Sequence, residues 1–307
     1  MLKKFVVLLT VVSLALAGCA GSVTAPAPVK TLNASAKRPL VISAIPDQDP
    51  EKLQRLYSSV ASYLSKELGV PVIYKPVIDY TASVTAFKVG DLDLVWYGGL
   101  SGVQARLQVE GAQAILQRDI DATFHSVFIA STASGIKPFS DVKGLQALKG
   151  RTFTFGSDSS TSGRLVPQYF LKQAGVTLND LKGEAGFSGS HDKTIKLVEA
   201  GTYDAGVLNE QVWDGRLKSG EVDASKVIVL WRSPAYFDYH WVLHPDVAQD
   251  FGVDLIEKIK KAFLKLNPEV PEHKAILELF GANKFILTEN ANYAGIEAVA
   301  RDIGKIK

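Results

Sequence analysis

Apolar positions recur along this chain in two alternating rhythms. Short β-prone runs cover residues 40–45, 71–77, 92–96, 113–117, 126–130, 152–155, 206–208, 227–230 and 240–243. Segments with helical spacing separate them. The clearest is 49–68, where Leu53, Leu56, Tyr57, Val60, Tyr63 and Leu64 recur at i, i+3, i+4 intervals. Helices are also predicted over 81–89, 100–109, 139–148, 163–174, 192–200 and 211–219. The tail from residue 247 reads as wholly helical, broken at Asn267-Pro268 and Gly281-Ala282. Alternating strands and helices predict an α/β fold with a mostly parallel sheet and helices on both faces. No unit of 20–50 residues repeats, which argues against a solenoid.

Polar clusters fall where such sheets bind ligands, beyond the carboxyl ends of strands. Asp79-Tyr80-Thr81 and Tyr97-Gly98-Gly99 each follow a strand, as does Asn209-Glu210; Ser188-Gly-Ser-His-Asp192 opens a helix. The richest is Phe155-Gly-Ser-Asp-Ser-Ser-Thr-Ser-Gly-Arg164, in which Ser159, Ser160, Thr161 and Ser162 sit between a strand and a helix. At a helix start, hydroxyls and free backbone N–H groups converge and the dipole adds partial positive charge. That makes an anion socket without a lysine. The competing reading is that one hydroxyl merely caps the helix. Five polar turns together suggest a cleft between two lobes.

The chain begins with Lys3 and Lys4 before an apolar run over residues 5–16, then Leu16-Ala17-Gly18-Cys19. This is the pattern of a signal peptide over 1–18, and its ending resembles a bacterial lipobox, so Cys19 is the expected lipidation site. Residues 19–37, rich in Ala, Ser, Thr and Pro, read as a flexible tether. Cys19 is the single cysteine, so the folded part has neither disulfides nor thiolate metal sites. Two of the 34 Lys and Arg lie in the leader, leaving 32 against 32 Asp and Glu. A near-neutral domain of this kind carries no nucleic-acid footprint and no polybasic membrane patch. The roughly 270 remaining residues suit two lobes better than one small core. Turn-like crossings near 131–135 and 233–237 would divide them into lobe 1 (38–131 plus 236–307) and lobe 2 (132–235).

Catalytic signatures are missing. Gly156-Ser-Asp-Ser-Ser160 fails the nucleophile-elbow pattern at its last position, and Ser190-His191-Asp192 are sequence neighbours that cannot form a relay. No phosphate-binding loop or dinucleotide fingerprint occurs. Asp238, His240 and His244 do not make a convincing metal set, and no cofactor is expected.

Asp79-Tyr80, Val95-Trp-Tyr-Gly98, Ser160-Thr-Ser-Gly163, Ser190-His191 and Asn209-Glu210 stand in an order and spacing that resembles the phosphate/phosphite/phosphonate-binding proteins of ABC importers. Ala44-Ile-Pro-Asp-Gln-Asp-Pro50, Arg118-Asp-Ile-Asp121 and Phe124-His-Ser126 look like a subgroup labelled selenate-binding. The resemblance implies a type II periplasmic binding protein fold, two doubly wound α/β lobes that close on a ligand about a hinge. It implies that Ser160, Thr161 and Ser162 bind the oxyanion, that Tyr80 and Tyr97 add phenol donors, and that His191 donates from lobe 2. Glu210 and Asp238 match positions that hold a ligand ammonium group or proton, although Phe237-Asp-Tyr-His240 departs from the family's Asp-Pro pattern.

The expected protein is thus a monomeric, lipid-anchored carrier in the cell envelope. It would deliver a small tetrahedral oxyanion to an ABC permease and its ATPase subunits. The alternatives are an oxyanion sensor partnered with a membrane histidine kinase and, less favoured, an enzyme on the same fold.

Overall fold

The computed structural model describes residues 38–307; the leader, Cys19 and the 19–37 tether lie outside the described residues. The first strand, β1 (Leu40–Ala44), leads into α1 (Pro50–Leu68). Asp49 caps α1 by accepting the Glu51 and Lys52 amides at 3.0 and 3.1 Å, and Pro50 fits the first turn, where its missing N–H costs nothing. Gly69 ends the helix at φ 69°, a left-handed conformation that glycine adopts without strain. The buried stripe of α1 includes Leu53, Leu56, Tyr57, Val60 and Leu64, as its spacing predicts.

Lobe 1 continues through β2 (Val72–Tyr74), α2 (Tyr80–Lys88), β3 (Leu94–Tyr97), α3 (Gly99–Gln108) and β4 (Gln113–Arg118). Lobe 2 holds β5 (Ser126–Ser131), β6 (Phe153–Phe155), α4 (Val166–Gln173), β7 (Gly186–Phe187), α5 (His191–Glu199), β8 (Ala205–Asn209), α6 (Glu210–Lys218) and β9 (Val227–Arg232). The chain then returns to lobe 1 with β10 (His240–Leu243), α7 (Asp246–Phe251), α8 (Val253–Leu264), α9 (Pro271–Phe280), β11 (Phe285–Leu287) and α10 (Ala294–Asp302).

The sheets run β11-β4-β10-β3-β1-β2 and β7-β6-β8-β5-β9. Both are mixed rather than mostly parallel. The strands adjoining each crossing, β5 and β10, run antiparallel to both neighbours, whereas β1 with β2 and β3, and β6 with β7 and β8, are parallel. The first crossing also lies earlier than expected. β5 pairs with β8 and β9, so the chain leaves lobe 1 near residues 119–125. The turn at 131–135 is real, but it lies inside lobe 2. Between β9, which ends at Arg232, and β10, which begins at His240, the chain passes from one sheet to the other. The two crossing segments bond to each other: Phe124 and Tyr236 exchange both backbone N–H···O bonds at 2.9 Å. The tail contains one strand, β11, that its short run concealed.

Each lobe has its own core. Tyr57, Phe87, Trp96, Trp241, Phe263 and Phe280 pack in lobe 1. In lobe 2, β5 sends Phe128 and Ala130 to one side and Val127 and Ile129 to the other, so both faces of its sheet are buried. A further apolar cluster joins Leu100 and Val103 of α3 to Leu165 and Val166 beside α4, with Ile296 and Ala300 of α10.

Candidate ligand-binding site

The hydroxyl turn lies at the carboxyl end of β6, facing the other lobe. It opens as a single wide turn over Thr161–Leu165 before α4 begins. Gly156 and Gly163 let the turn fold back on its strand: the Gly156 amide donates to the Gly163 carbonyl at 2.9 Å. A Cβ on Gly163 would sit 3.2 Å from the Gly156 Cα and 3.0 Å from the Ser160 Oγ. Ser160 Oγ accepts the Gly163 amide at 3.0 Å, so this serine does cap its helix. Thr161 reaches across the interface instead, and its Oγ1 accepts the Leu100 amide of α3 at 2.9 Å.

The start of α3 therefore meets the hydroxyl turn head-on. Beside it, the Gly99 amide donates to Asp238 Oδ1 at 2.8 Å. Gly98 is the residue that permits this approach. A Cβ there would stand 3.1 Å from Thr161 Oγ1 and 3.2 Å from Asp238 Oδ1. Asp238 is fully buried, and burial pushes its carboxyl up to about 7, against the partly offsetting Gly99 hydrogen bond.

A second buried carboxyl, Asp47, follows β1. Its Oδ2 accepts the Tyr239 hydroxyl at 2.8 Å, and burial raises it to about 6. Tyr239 also receives Asn209 Nδ2–H at 3.0 Å and lies 3.2 Å from His191 Nε2. His191 is fully buried, and desolvation holds its ring down near 4, so it is neutral at pH 7. Tyr80 Oη, Ser162 Oγ, Asp47 Oδ1 and Asp238 Oδ2 are all buried without a hydrogen-bond partner. Buried polar atoms are nearly always paired. Asp47, Tyr80 and Asp238 belong to lobe 1 and Ser162 to lobe 2, so unpartnered polar atoms occur in both lobes. A cavity of about 340 Å³ opens beside Tyr80 between the lobes, lined by Gln48, Asp79, Ser157, Ser190 and Lys193 among others.

The family model described as "ABC transporter, phosphonate, periplasmic substrate-binding protein" matches residues 42–293. The chain belongs to this family. Over 269 residues, 87% of the chain and 91% of the relative, this binding protein is 48% identical to a protein of Prochlorococcus marinus (strain MIT 9301) named probable ABC transporter phosphite binding protein PhnD1. The solved structure of that PhnD1 in complex with methylphosphonate matches with a TM-score of 0.85, covering 87% of this chain and 98% of that one. The phosphonates-binding periplasmic protein of Escherichia coli (strain K12) is 25% identical over 268 residues, 86% of this chain and 76% of the relative. These matches establish a two-lobed periplasmic binding protein fold and a substrate-binding role in an ABC transporter.

Of the residues singled out from sequence, this binding protein brings Tyr80, Ser160, Thr161, Ser162, His191 and Asp238 to the interface between its lobes. Tyr97 is not among them as a donor. Its hydroxyl hydrogen goes to the Ser83 carbonyl at 2.8 Å, inside lobe 1, and its ring packs edge-on against Phe87. Glu210 is likewise turned away: its carboxylate pairs with Arg232 of the adjacent β9, beside the Arg232–Asp214 pair. The His240 ring stacks on Tyr293 and the His244 ring meets Phe87 edge-on, so the two imidazoles do not converge with the Asp238 carboxyl. Sequence reasoning passed over Asp47, Tyr239 and the first amides of α3. Asp47 and Tyr239 lay within quoted motifs, but nothing in their spacing distinguished them from packing residues.

Proposed function

We propose that this protein captures a small tetrahedral oxyanion bearing a proton or a compact substituent, of the phosphite or methylphosphonate kind. It would close its lobes on that guest and present it to an ABC permease with its ATPase subunits, performing no chemistry itself. Asp238 carries the reading. Its Oδ2 is buried without a partner, while its Oδ1 takes the Gly99 amide at the start of α3, beside the hydroxyl turn. Selenate and sulfate are fully ionised and only accept hydrogen bonds. An ionised carboxylate about 4 Å from such an anion costs on the order of 4 kcal/mol per unit of the anion's charge at an effective dielectric near 20. A protonated oxyanion instead donates to that oxygen, and a substituent carries less charge toward it. The two relatives named for phosphite and phosphonates are consistent with this choice. The outward turn of Glu210 removes one of the two carboxylates that an aminophosphonate's ammonium group would need.

Titration calorimetry with phosphite, methylphosphonate, phosphate, selenate and sulfate tests the assignment. Tight selenate binding beside silent phosphite and methylphosphonate would overturn it. We further propose that Cys19 is acylated and holds the mature protein at the outer face of a membrane as a monomer. Release of a Cys19→Ser variant from the membrane fraction is the expected outcome.

A further inference from the structure

We infer that Asp47 is a positioning residue for ligand retention, tying lobe 1 to lobe 2 through Tyr239 and through its own backbone. The inference rests on the ligand-binding reading above but concerns the lobes rather than the identity of the guest.

The hydrogen-bond directions are set by the outer partners. Asn209 Oδ1 accepts the Val212 amide at 2.6 Å, so its Nδ2 faces Tyr239 as a donor. The Asn209 amide points at His191 Nδ1 from 3.4 Å, which leaves the ring proton on Nε2, also facing Tyr239. Two donors of lobe 2 thus converge on one phenol oxygen. A hydroxyl accepts both only if its own hydrogen points elsewhere. Asp47 Oδ2 takes that hydrogen at 2.8 Å. Without this acceptor the hydroxyl hydrogen would swing toward two other donors, and the cross-lobe bonds would weaken. Asp47 makes a second link directly, as its carbonyl accepts the His191 amide at 2.9 Å.

A purely structural role would explain this less well. Asp47 and Tyr239 belong to the same lobe, and a neutral acceptor would satisfy one phenol. A carboxyl that is 2% exposed, with Oδ1 left unpartnered, is an expensive way to do so. Its placement makes sense where the phenol must present only lone pairs to the other lobe.

Stopped-flow binding of methylphosphonate to the full chain tests this. Asp47→Ala should release ligand about tenfold faster, with the association rate changed less than twofold. Asp47→Asn, which keeps an acceptor, should stay within about threefold of wild type. In a Tyr239→Phe background, Asp47→Ala should have little further effect. A release rate unchanged in Asp47→Ala, equal rates for the Ala and Asn variants, or additive effects with Tyr239→Phe would each overturn the proposal. Should Asp47→Ala not fold, Asp47→Leu, of similar shape but without an acceptor, takes its place. Spin labels on the two lobes give a ligand-free measure: the Ala variant should shift toward longer interlobe distances, and no shift refutes the tie. If wild type bound neither methylphosphonate nor phosphite, the ligand assignment would fail, and the spin-label distances would still decide the role of Asp47.

Discussion

Leu100 and Thr161 stand on opposite lobes, and the amide of one donates to the hydroxyl of the other at 2.9 Å. The hydroxyl turn is thereby fastened to the helix start it faces. Thr161→Val would leave the Leu100 N–H buried and unpaired in the closed form, a cost of about 1–3 kcal/mol. The expected result is a roughly 10- to 100-fold loss of methylphosphonate affinity by calorimetry, with the unliganded melt almost unchanged, because an open form hydrates both groups.

Ser160 should behave differently from its neighbour. It caps its helix through the Gly163 amide, so Ser160→Ala should destabilise the unliganded protein by about 1 kcal/mol in urea. A double change at Ser160 and Thr161 therefore lowers apo stability as well as binding. An unchanged Ser160→Ala midpoint would contradict the capping role.

Asp238 gives a pH signature. Burial raises its folded pKa to about 7, above the ordinary aspartate value, so between about pH 4 and 7 the folded state binds more protons than the unfolded one. Stability from this group is therefore present at low pH and lost as pH rises through 7. Asp238→Asn keeps the Gly99 acceptor but not the titration. Its stability relative to wild type should climb from pH 4 to pH 8 in paired denaturant melts. The same variant should narrow the preference for phosphite over selenate, since an amide does not repel a fully ionised guest. A flat stability difference across pH would refute the first expectation.

Glu210→Gln tests which carboxylate faces the guest. Its pairing with Arg232 is partly exposed, and such pairs contribute about 0–1 kcal/mol. Ligand affinity should stay within twofold of wild type. A tenfold change would return Glu210 to the site.

Gly98→Ala probes the closeness of the lobes. The added methyl would meet Thr161 Oγ1 and Asp238 Oδ1 at 3.1 and 3.2 Å, tighter than ordinary contact. Binding should weaken by more than the ligand-free stability falls, because the Thr161 clash exists only on closure whereas the Asp238 contact lies within lobe 1. An equal loss in both measurements would place the strain inside lobe 1 instead.

Much of this was legible from sequence because it is local. Hydroxyls between a strand and a glycine-marked helix start define their own chemistry, and the periodicity of α1 fixes its buried face. What was hidden depends on partners far along the chain. An acid at a helix start looks the same whether it faces a guest or, like Glu210, an arginine on the next strand. Tyr97 ends its strand beside a ligand turn, yet the Ser83 carbonyl of α2 captures its hydroxyl. The Ser131–Gly135 turn has the composition of a crossing, but only the pairing of β5 with β8 and β9 assigns it to lobe 2. Three-residue β11 gives too short an alternation to stand out among helices.

The named hydrogen bonds around the hydroxyl turn are made by amides, hydroxyls and a neutral imidazole, all of them fixed dipoles. Lys193, a cation, lines the adjoining cavity beside Tyr80. Dissolved ions screen exposed charges strongly but fixed, buried dipoles hardly at all. Whatever part of the affinity rests on those dipoles should hold nearly constant from fresh to brackish to saline medium, and only a part carried by Lys193 should fall as salt rises.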